Sequence, residues 1–290
     1  MTMHKTLIDP ATLIRHLTDP NWIVVDTRFD LTEPAKGEQQ YLDSHIPGAR
    51  YAHLDRDLSG EKTGSNGRHP LPTVDQMRSR FGAIGISSGR QVAIYDADSG
   101  MYAARLWWML RFMGHDAVAV LDGGLARWVR EGYPVRPGDE HWTPARFEGD
   151  PRGEWRLDVA AVAAGLSDPS RVLVDARAEG RFRGEGETLD KVAGHIPGAR
   201  NYFFQRNLGD DKTFKARDEI RGQWESLLGT TPPANVVMYC GSGVTACHNL
   251  LAMEHAGLSG ARIFPGSWSE WSSDPARPIE RGAPGTRTKQ

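Results

Sequence analysis

The sequence predicts an α/β protein made of two tandem, homologous domains, each a mainly parallel sheet with helices on both faces. Three observations lead there. Unbroken apolar runs of strand length alternate with helical patterns, as expected when parallel strands are covered on both faces. The same runs occur twice, in the same order. The length, 290 residues, is about twice that of a common domain.

The repeat can be followed element by element. Asp9 caps a short helix with Pro10 in its first position, and Leu13, Ile14 and Leu17 form its apolar face. A strand follows over Trp22–Val25 and ends in Asp26-Thr27-Arg28. It returns as Val172–Val174, ending in Asp175-Ala176-Arg177. His45-Ile46-Pro47-Gly48-Ala49-Arg50 recurs letter for letter at 195–200. A second strand, Gln91–Tyr95, answers Asn235–Tyr239. Each leads through a glycine-containing turn into a helix, Ala103–Met113 and Ala246–Ala256. A third strand is expected at Val118–Leu121 and at Arg262–Phe264, and Gly123 and Trp128 answer Gly266 and Trp271. Between the copies, Pro137, Gly138, Pro144, Gly149, Pro151 and Gly153 interrupt any periodicity. The expected division is therefore a domain over 1–138, a linker over 139–154 and a second domain over 155–290, with a polar tail from Arg281 to Gln290.

Composition narrows the function. Hydrophobic residues at 39%, charged residues at 25%, and nine Trp and nine Phe to be packed describe a globular chain. With a net charge of −2 and no basic block, nucleic acid is not an expected partner. No apolar run approaches the ~18 residues of a membrane span. The most apolar helix, around Leu106–Leu110, is bracketed by Arg105 and Arg111. Met1 to Asp9 contains no apolar run of signal-peptide type, so a cytoplasmic location away from membranes is expected. Two cysteines are too few for a disulfide scaffold or a four-cysteine zinc site, and no metal or cofactor is expected. On one helix Cys240 and Cys247 would be ~10 Å apart, beyond disulfide reach.

The two copies part company where chemistry is expected, beyond the carboxyl ends of the strands. The first continues Tyr95-Asp96-Ala97-Asp98-Ser99-Gly100. The second continues Tyr239-Cys240-Gly241-Ser242-Gly243-Val244-Thr245 and enters a helix. A cysteine at a strand tip, followed by a short glycine-rich loop, faces converging backbone N–H groups and the positive end of a helix. Both favour the thiolate. The carboxylate of Asp96 is a poor nucleophile toward sulfur, so only the second copy is expected to be catalytic. His45 and His195, like Asp26 and Asp175, occur in both copies and are read as structural. Cys247 is read as a packed thiol, and the Trp107-Trp108 pair as core packing.

Cys240-Gly241-Ser242-Gly243-Val244-Thr245-Ala246 resembles the active-site loop of two-domain rhodanese-type sulfurtransferases, in particular the 3-mercaptopyruvate form. The resemblance runs through both Val-Asp-x-Arg strand ends, both His-Ile-Pro-Gly-Ala segments, and Pro265-Gly266-Ser267-Trp268-Ser269-Glu270-Trp271. It implies a tandem rhodanese-like fold and covalent catalysis. A persulfide forms on Cys240 with sulfur from 3-mercaptopyruvate, or from thiosulfate, and passes to cyanide, a thiol or a thioredoxin-like reductant. The loop from Gly241 through Ser242, Gly243, Val244 and Thr245 would bind the outer sulfur as an oxyanion hole binds oxygen. Arg181 matches the arginine that holds the charged end of the donor. His69 and Asp55 match first-domain residues of a relay with the loop serine, Ser242. The family's second arginine, in a Glu-Pro-Arg, is missing from the shorter loop Gly186–Lys191, which leaves Lys191 and Arg183 as basic substitutes. Two rival functions stand beside this one. A cysteine phosphatase would want arginine where Ala246 stands. A non-catalytic sulfur carrier or regulatory module would not need the intact loop.

Overall fold

The computed structural model describes residues 3–283, which form two compact units. The tail expected from Arg281 falls outside the described residues from 284 onward, as do the first two residues of the N-terminal stretch. Neither unit is continuous in sequence. The first takes residues up to Gly60, Pro72–Arg152 and Leu208–Phe214, and the second takes Glu61–Leu71, Gly153–Asn207 and Lys215 onward.

In the first unit the strands are β1 (Leu7–Ile8), β2 (Trp22–Asp26), β3 (Arg50–Tyr51), β4 (Gln91–Tyr95) and β5 (Val118–Leu121). They form one parallel sheet in the order β1-β5-β4-β2-β3. The second unit has β6 (Val172–Asp175), β7 (Arg200–Asn201), β8 (Val236–Tyr239) and β9 (Arg262–Ile263), parallel in the order β7-β6-β8-β9. The counterpart of β1 is here reduced to a single parallel bridge, Arg156 with Ile263. The strands expected from apolar runs are present. The two-residue strands β1, β3 and β7 are too short to leave a periodic signal.

The repeated motifs have repeated jobs. Each Val-Asp-x-Arg closes a buried ion pair at a strand tip, Arg28 on Asp26 at 2.6 Å and Arg177 on Asp175 at 2.7 Å. Each His-Ile-Pro-Gly histidine bonds a backbone carbonyl through Nδ1, His45 to Tyr41 and His195 to Phe182. Each repeated indole caps its own turn: Trp128 Nε1 donates to the Pro134 carbonyl and Trp271 Nε1 to that of Pro278. These contacts satisfy buried polar groups, as a structural role requires. Cores form around them, with Val24, Ala93, Tyr95 and Trp128 in one unit and Leu173, Val237, Tyr239 and Trp268 in the other.

Two segments pack in ways that the repeat alone does not convey. Segment 61–71 aligns with the first copy but packs in the second unit, where the Arg68 N–H donates to Ser269 Oγ at 2.9 Å and Ser273 Oγ donates to the Ser65 carbonyl at 3.1 Å. A repeat records which elements correspond, not where a loop settles. The stretch 139–154, read as a linker, groups with the first unit as far as Arg152. Ala145 N–H donates to the Gly82 carbonyl, Arg152 N–H to that of Phe112, and the Arg152 guanidinium forks onto Asp116 at 2.8 and 2.8 Å. Phe147 is buried, edge-on to Phe81 with ring centroids 5.2 Å apart. Proline and glycine here mark an extended strap laid on the fold, which looks the same as a linker when only periodicity is read.

Among the described residues, no helix is long and apolar enough to cross a membrane, and no group of three His, Cys, Asp or Glu side chains is placed to hold a metal ion.

Phe147→Ala is expected to destabilise the protein by about 3 kcal/mol, the usual cost of removing a buried phenyl ring. Chemical denaturation would measure it, and a change within a few tenths of a kcal/mol would show that the ring does not hold the strap to the fold.

Candidate active site

In the second unit the strand order reverses between β6 and β8. Crevices at the carboxyl ends of such a pair are where open α/β sheets bind ligands. Cys240 is the first residue past β8, and the loop behind it runs into the helix Thr245–His255. The cysteine is buried, 2% exposed, and the Gly243 N–H donates to its sulfur at 3.1 Å. Gly243 lies at φ 77°, and a Cβ there would overlap the Pro265 carbonyl oxygen. Only glycine can turn the loop so that this amide faces the sulfur.

The other copy shows what this loop geometry favours. At the tip of β4 the Asp96 carboxylate accepts N–H groups from Asp98, Gly100, Tyr102 and Ala103 at 2.8–3.3 Å. Burial pushes this carboxyl above its ordinary range, against the pull of the Tyr102, Gly100 and Ala103 amides. The first unit thus places a carboxyl in the loop, and the second places a sulfur there.

The loop is fastened from behind by the Gly-Ser-Trp segment. Ser267, buried and at a φ of 57° unusual for serine, accepts the Cys240 N–H at 3.1 Å and donates to the Phe264 carbonyl at 3.0 Å. Trp268 N–H donates to the Cys240 carbonyl and Ser269 N–H to that of Gly241, both at 2.9 Å. Ser269 Oγ also receives the Arg68 amide, so one residue ties the 61–71 segment to the loop. Gly67, at φ 90°, permits that approach, since a Cβ would stand 2.9 Å from the Gly266 carbonyl oxygen.

That segment delivers His69. Its Nδ1 lies 2.8 Å from Ser242 Oγ, and both side chains are buried. Asp55, the third member of the expected relay, belongs to the first unit, where its backbone N–H donates to His53 Nδ1 at 3.1 Å. Val244 precedes the helix and Thr245 opens it. Cys247 is buried one turn into the helix and donates its thiol hydrogen to the Gly243 carbonyl at 3.3 Å.

Arg181, on the short helix Glu179–Arg183, stands beside the loop, with Nη2 and Nη1 3.5 and 3.7 Å from where a Cβ of Gly241 would be. Glu187 grips its guanidinium through Nε and Nη2 at 2.9–3.1 Å. Burial pushes the Glu187 carboxyl up, but Arg181 and the Leu189 and Asp190 amides hold it below the ordinary glutamate range. Asp190 also bonds Arg181, at 3.1 Å. Burial pushes the Asp190 carboxyl above its usual range, with Arg68 and Arg181 pulling the other way. Neither basic substitute read from the sequence has this position: Arg183 pairs with Glu179 on its own helix, and Lys191 is exposed. The guanidinium that does stand at Gly241 beside Arg181 is that of Arg68, which the sequence reading passed over. Its only signal there was adjacency to His69.

Comparisons with known proteins identify the family. The rhodanese-like domain model matches twice, over residues 9–131 and 158–274. A probable 3-mercaptopyruvate sulfurtransferase of Pseudomonas aeruginosa is 44% identical over 278 residues, covering 95% of this chain and 98% of its own. A putative thiosulfate sulfurtransferase of Mycobacterium tuberculosis is 38% identical over 265 residues, 89% of this chain and 90% of its own. Among solved structures, 3-mercaptopyruvate sulfurtransferase from Leishmania major superposes with a TM-score of 0.82 at 31% identity, covering 92% of this chain and 74% of its own. Two matching domains, a relative 44% identical across nearly the whole length, and a thiol held in a strand-tip loop lead to one conclusion: the chain belongs to the rhodanese-like family, as a tandem member whose second domain carries the cysteine.

Proposed function

We propose that this protein is a sulfurtransferase that takes sulfur from 3-mercaptopyruvate onto Cys240 as a persulfide and passes it to a small thiophilic acceptor. The observation that carries the reading is the pairing of His69 with Ser242, 2.8 Å apart, in the same loop that gives an N–H to the Cys240 sulfur. A thiolate alone suffices to accept sulfur. A buried hydroxyl–imidazole pair beside it fits a donor whose departing fragment needs a proton.

The steps follow from these groups. The Cys240 thiolate attacks the donor sulfur and forms the S–S bond. The C–S bond breaks, and its electron pair moves onto the carbon chain as an enolate. Ser242, backed by His69, delivers the proton that turns the enolate into pyruvate. The terminal persulfide sulfur remains among the loop amides, which favour negative charge there. An acceptor then attacks that outer sulfur, and the Cys240 thiolate leaves. Cyanide would depart as thiocyanate, a small thiol as its persulfide, and a thioredoxin-like dithiol would release hydrogen sulfide as it closes its own disulfide. No metal or redox cofactor enters this sequence, and a cytoplasmic setting, where thiols stay reduced, suits it.

Thiosulfate is the second donor to consider, since one relative at 38% identity bears that name. Gly241 and Ser242 bring no charge to the loop, which favours a monoanion over the thiosulfate dianion.

Cys240→Ser is expected to abolish sulfur transfer to cyanide, whereas Cys247→Ser, which keeps a donor for the Gly243 carbonyl, should retain most of it. Equal losses in two folded variants would contradict the assignment. His69→Ala should lower kcat with mercaptopyruvate by about 10²-fold, the usual scale for a lost proton donor. Its effect on thiosulfate, whose leaving sulfite needs no proton, should be much smaller. Parallel loss with both donors would remove the relay from the mechanism.

A further inference from the structure

Gly241 sits between two guanidiniums. Its φ is not in the left-handed region, so backbone conformation does not demand glycine there. Space does. A Cβ would stand 2.9 Å from Arg68 Nη2 and 3.5 Å from Arg181 Nη2. The two arginines reach this point from separate segments, and one carboxylate holds both: Asp190 accepts from Arg68 Nη1 at 2.6 Å and from Arg181 Nη2 at 3.1 Å. Arg68 is fixed further by its Nη1 on the Leu189 carbonyl and by its amide on Ser269. Its charged head is thereby aimed at the residue next to the nucleophile.

We propose that Arg68 is the second donor-binding guanidinium of this site, and that Asp190, shared by both arginines, sets the seat to accept a singly charged carboxylate. The proposal rests on the sulfur-transfer reading for the identity of the donor, but not for the geometry of the seat. Two guanidiniums flanking one point offer forked N–H groups matched to a carboxylate. In mercaptopyruvate only a methylene and a carbonyl separate the carboxylate from the sulfur under attack, so a seat over Gly241 suits it.

The charge balance gives the preference. Arg68 and Arg181 face Asp190 and Glu187, and the deeper Arg177 is matched by Asp175. The cations are thus already neutralised by fixed acids before a donor arrives. A monoanion meets a seat oriented for it, while a dianion finds no surplus positive charge beside a thiolate. Removing the Asp190 charge would leave a net positive seat and favour the dianion.

Alkylation of Cys240 tests the seat without any sulfur donor. Iodoacetate carries a carboxylate and iodoacetamide does not, and a changed thiolate fraction alters both rates together. The ratio of the two rates on Cys240, followed by peptide mass spectrometry, therefore reports the pull on the carboxylate. Arg68→Ala is expected to lower that ratio about tenfold, the scale of one charge-assisted hydrogen bond. Arg68→Gln, which can still donate to Asp190, should lower it similarly, and Arg68→Lys should restore part of it. An unchanged ratio in the Ala and Gln variants, or a fall produced by Lys191→Ala instead, overturns the role of Arg68. Asp190→Asn should raise kcat/KM for thiosulfate relative to mercaptopyruvate several-fold, and an unmoved preference overturns the role of Asp190. If the wild-type protein took sulfur from neither donor, the functional reading would fail while the alkylation ratios still decided the seat.

Discussion

Everything at this site depends on inward-facing backbone N–H groups at a strand tip. A buried amide needs an acceptor, so the residue that ends the strand has to supply one. In the first unit Asp96 does, with four amides on its carboxylate. In the second, Cys240 receives the Gly243 N–H on sulfur. The two halves solve one hydrogen-bonding problem with different atoms, and only one of those atoms can accept and release a second sulfur. The first unit shows that such a loop can turn several N–H groups onto one acceptor.

Around that loop the structure spends its polar contacts on position. Ser267, Trp268 and Ser269 hold the backbone of Cys240 and Gly241 by three hydrogen bonds, so Cys240 is set by a neighbouring helix start as well as by its own strand. Ser269 links this arrangement to the segment bearing Arg68 and His69. Arg68 and His69, adjacent residues of one short segment, are therefore both placed against the loop, one at Gly241 and one at Ser242. Preorganisation of this kind lowers the reorganisation needed as charge moves during reaction.

Much of this was legible in the sequence, and what was missed had a physical reason. Parallel strands announce themselves because burial on both faces makes them continuously apolar, and duplication supplied an internal comparison: His45 and His195, present in both copies, each bond a backbone carbonyl, while Asp96 and Cys240 stand at equivalent strand tips with different side chains. Two-residue strands such as β3 and β7 have no period to detect. The strap at 139–152 has the composition of a linker and is held by single anchors, Phe147 and Arg152, that no pattern reveals. Arg68 was hidden for another reason. The sequence offers basic substitutes near Arg181, at Arg183 and Lys191, whereas the guanidinium beside Arg181 comes from more than a hundred residues away.

The central claim is that Cys240 carries the sulfur. Intact-mass and peptide mass spectrometry of the protein after incubation with 3-mercaptopyruvate and removal of excess donor tests it directly. The account predicts one added sulfur atom on the peptide containing Cys240, lost again on treatment with cyanide and absent from Cys240→Ser. A wild-type protein that gains no sulfur, or gains it on Cys247, would contradict it.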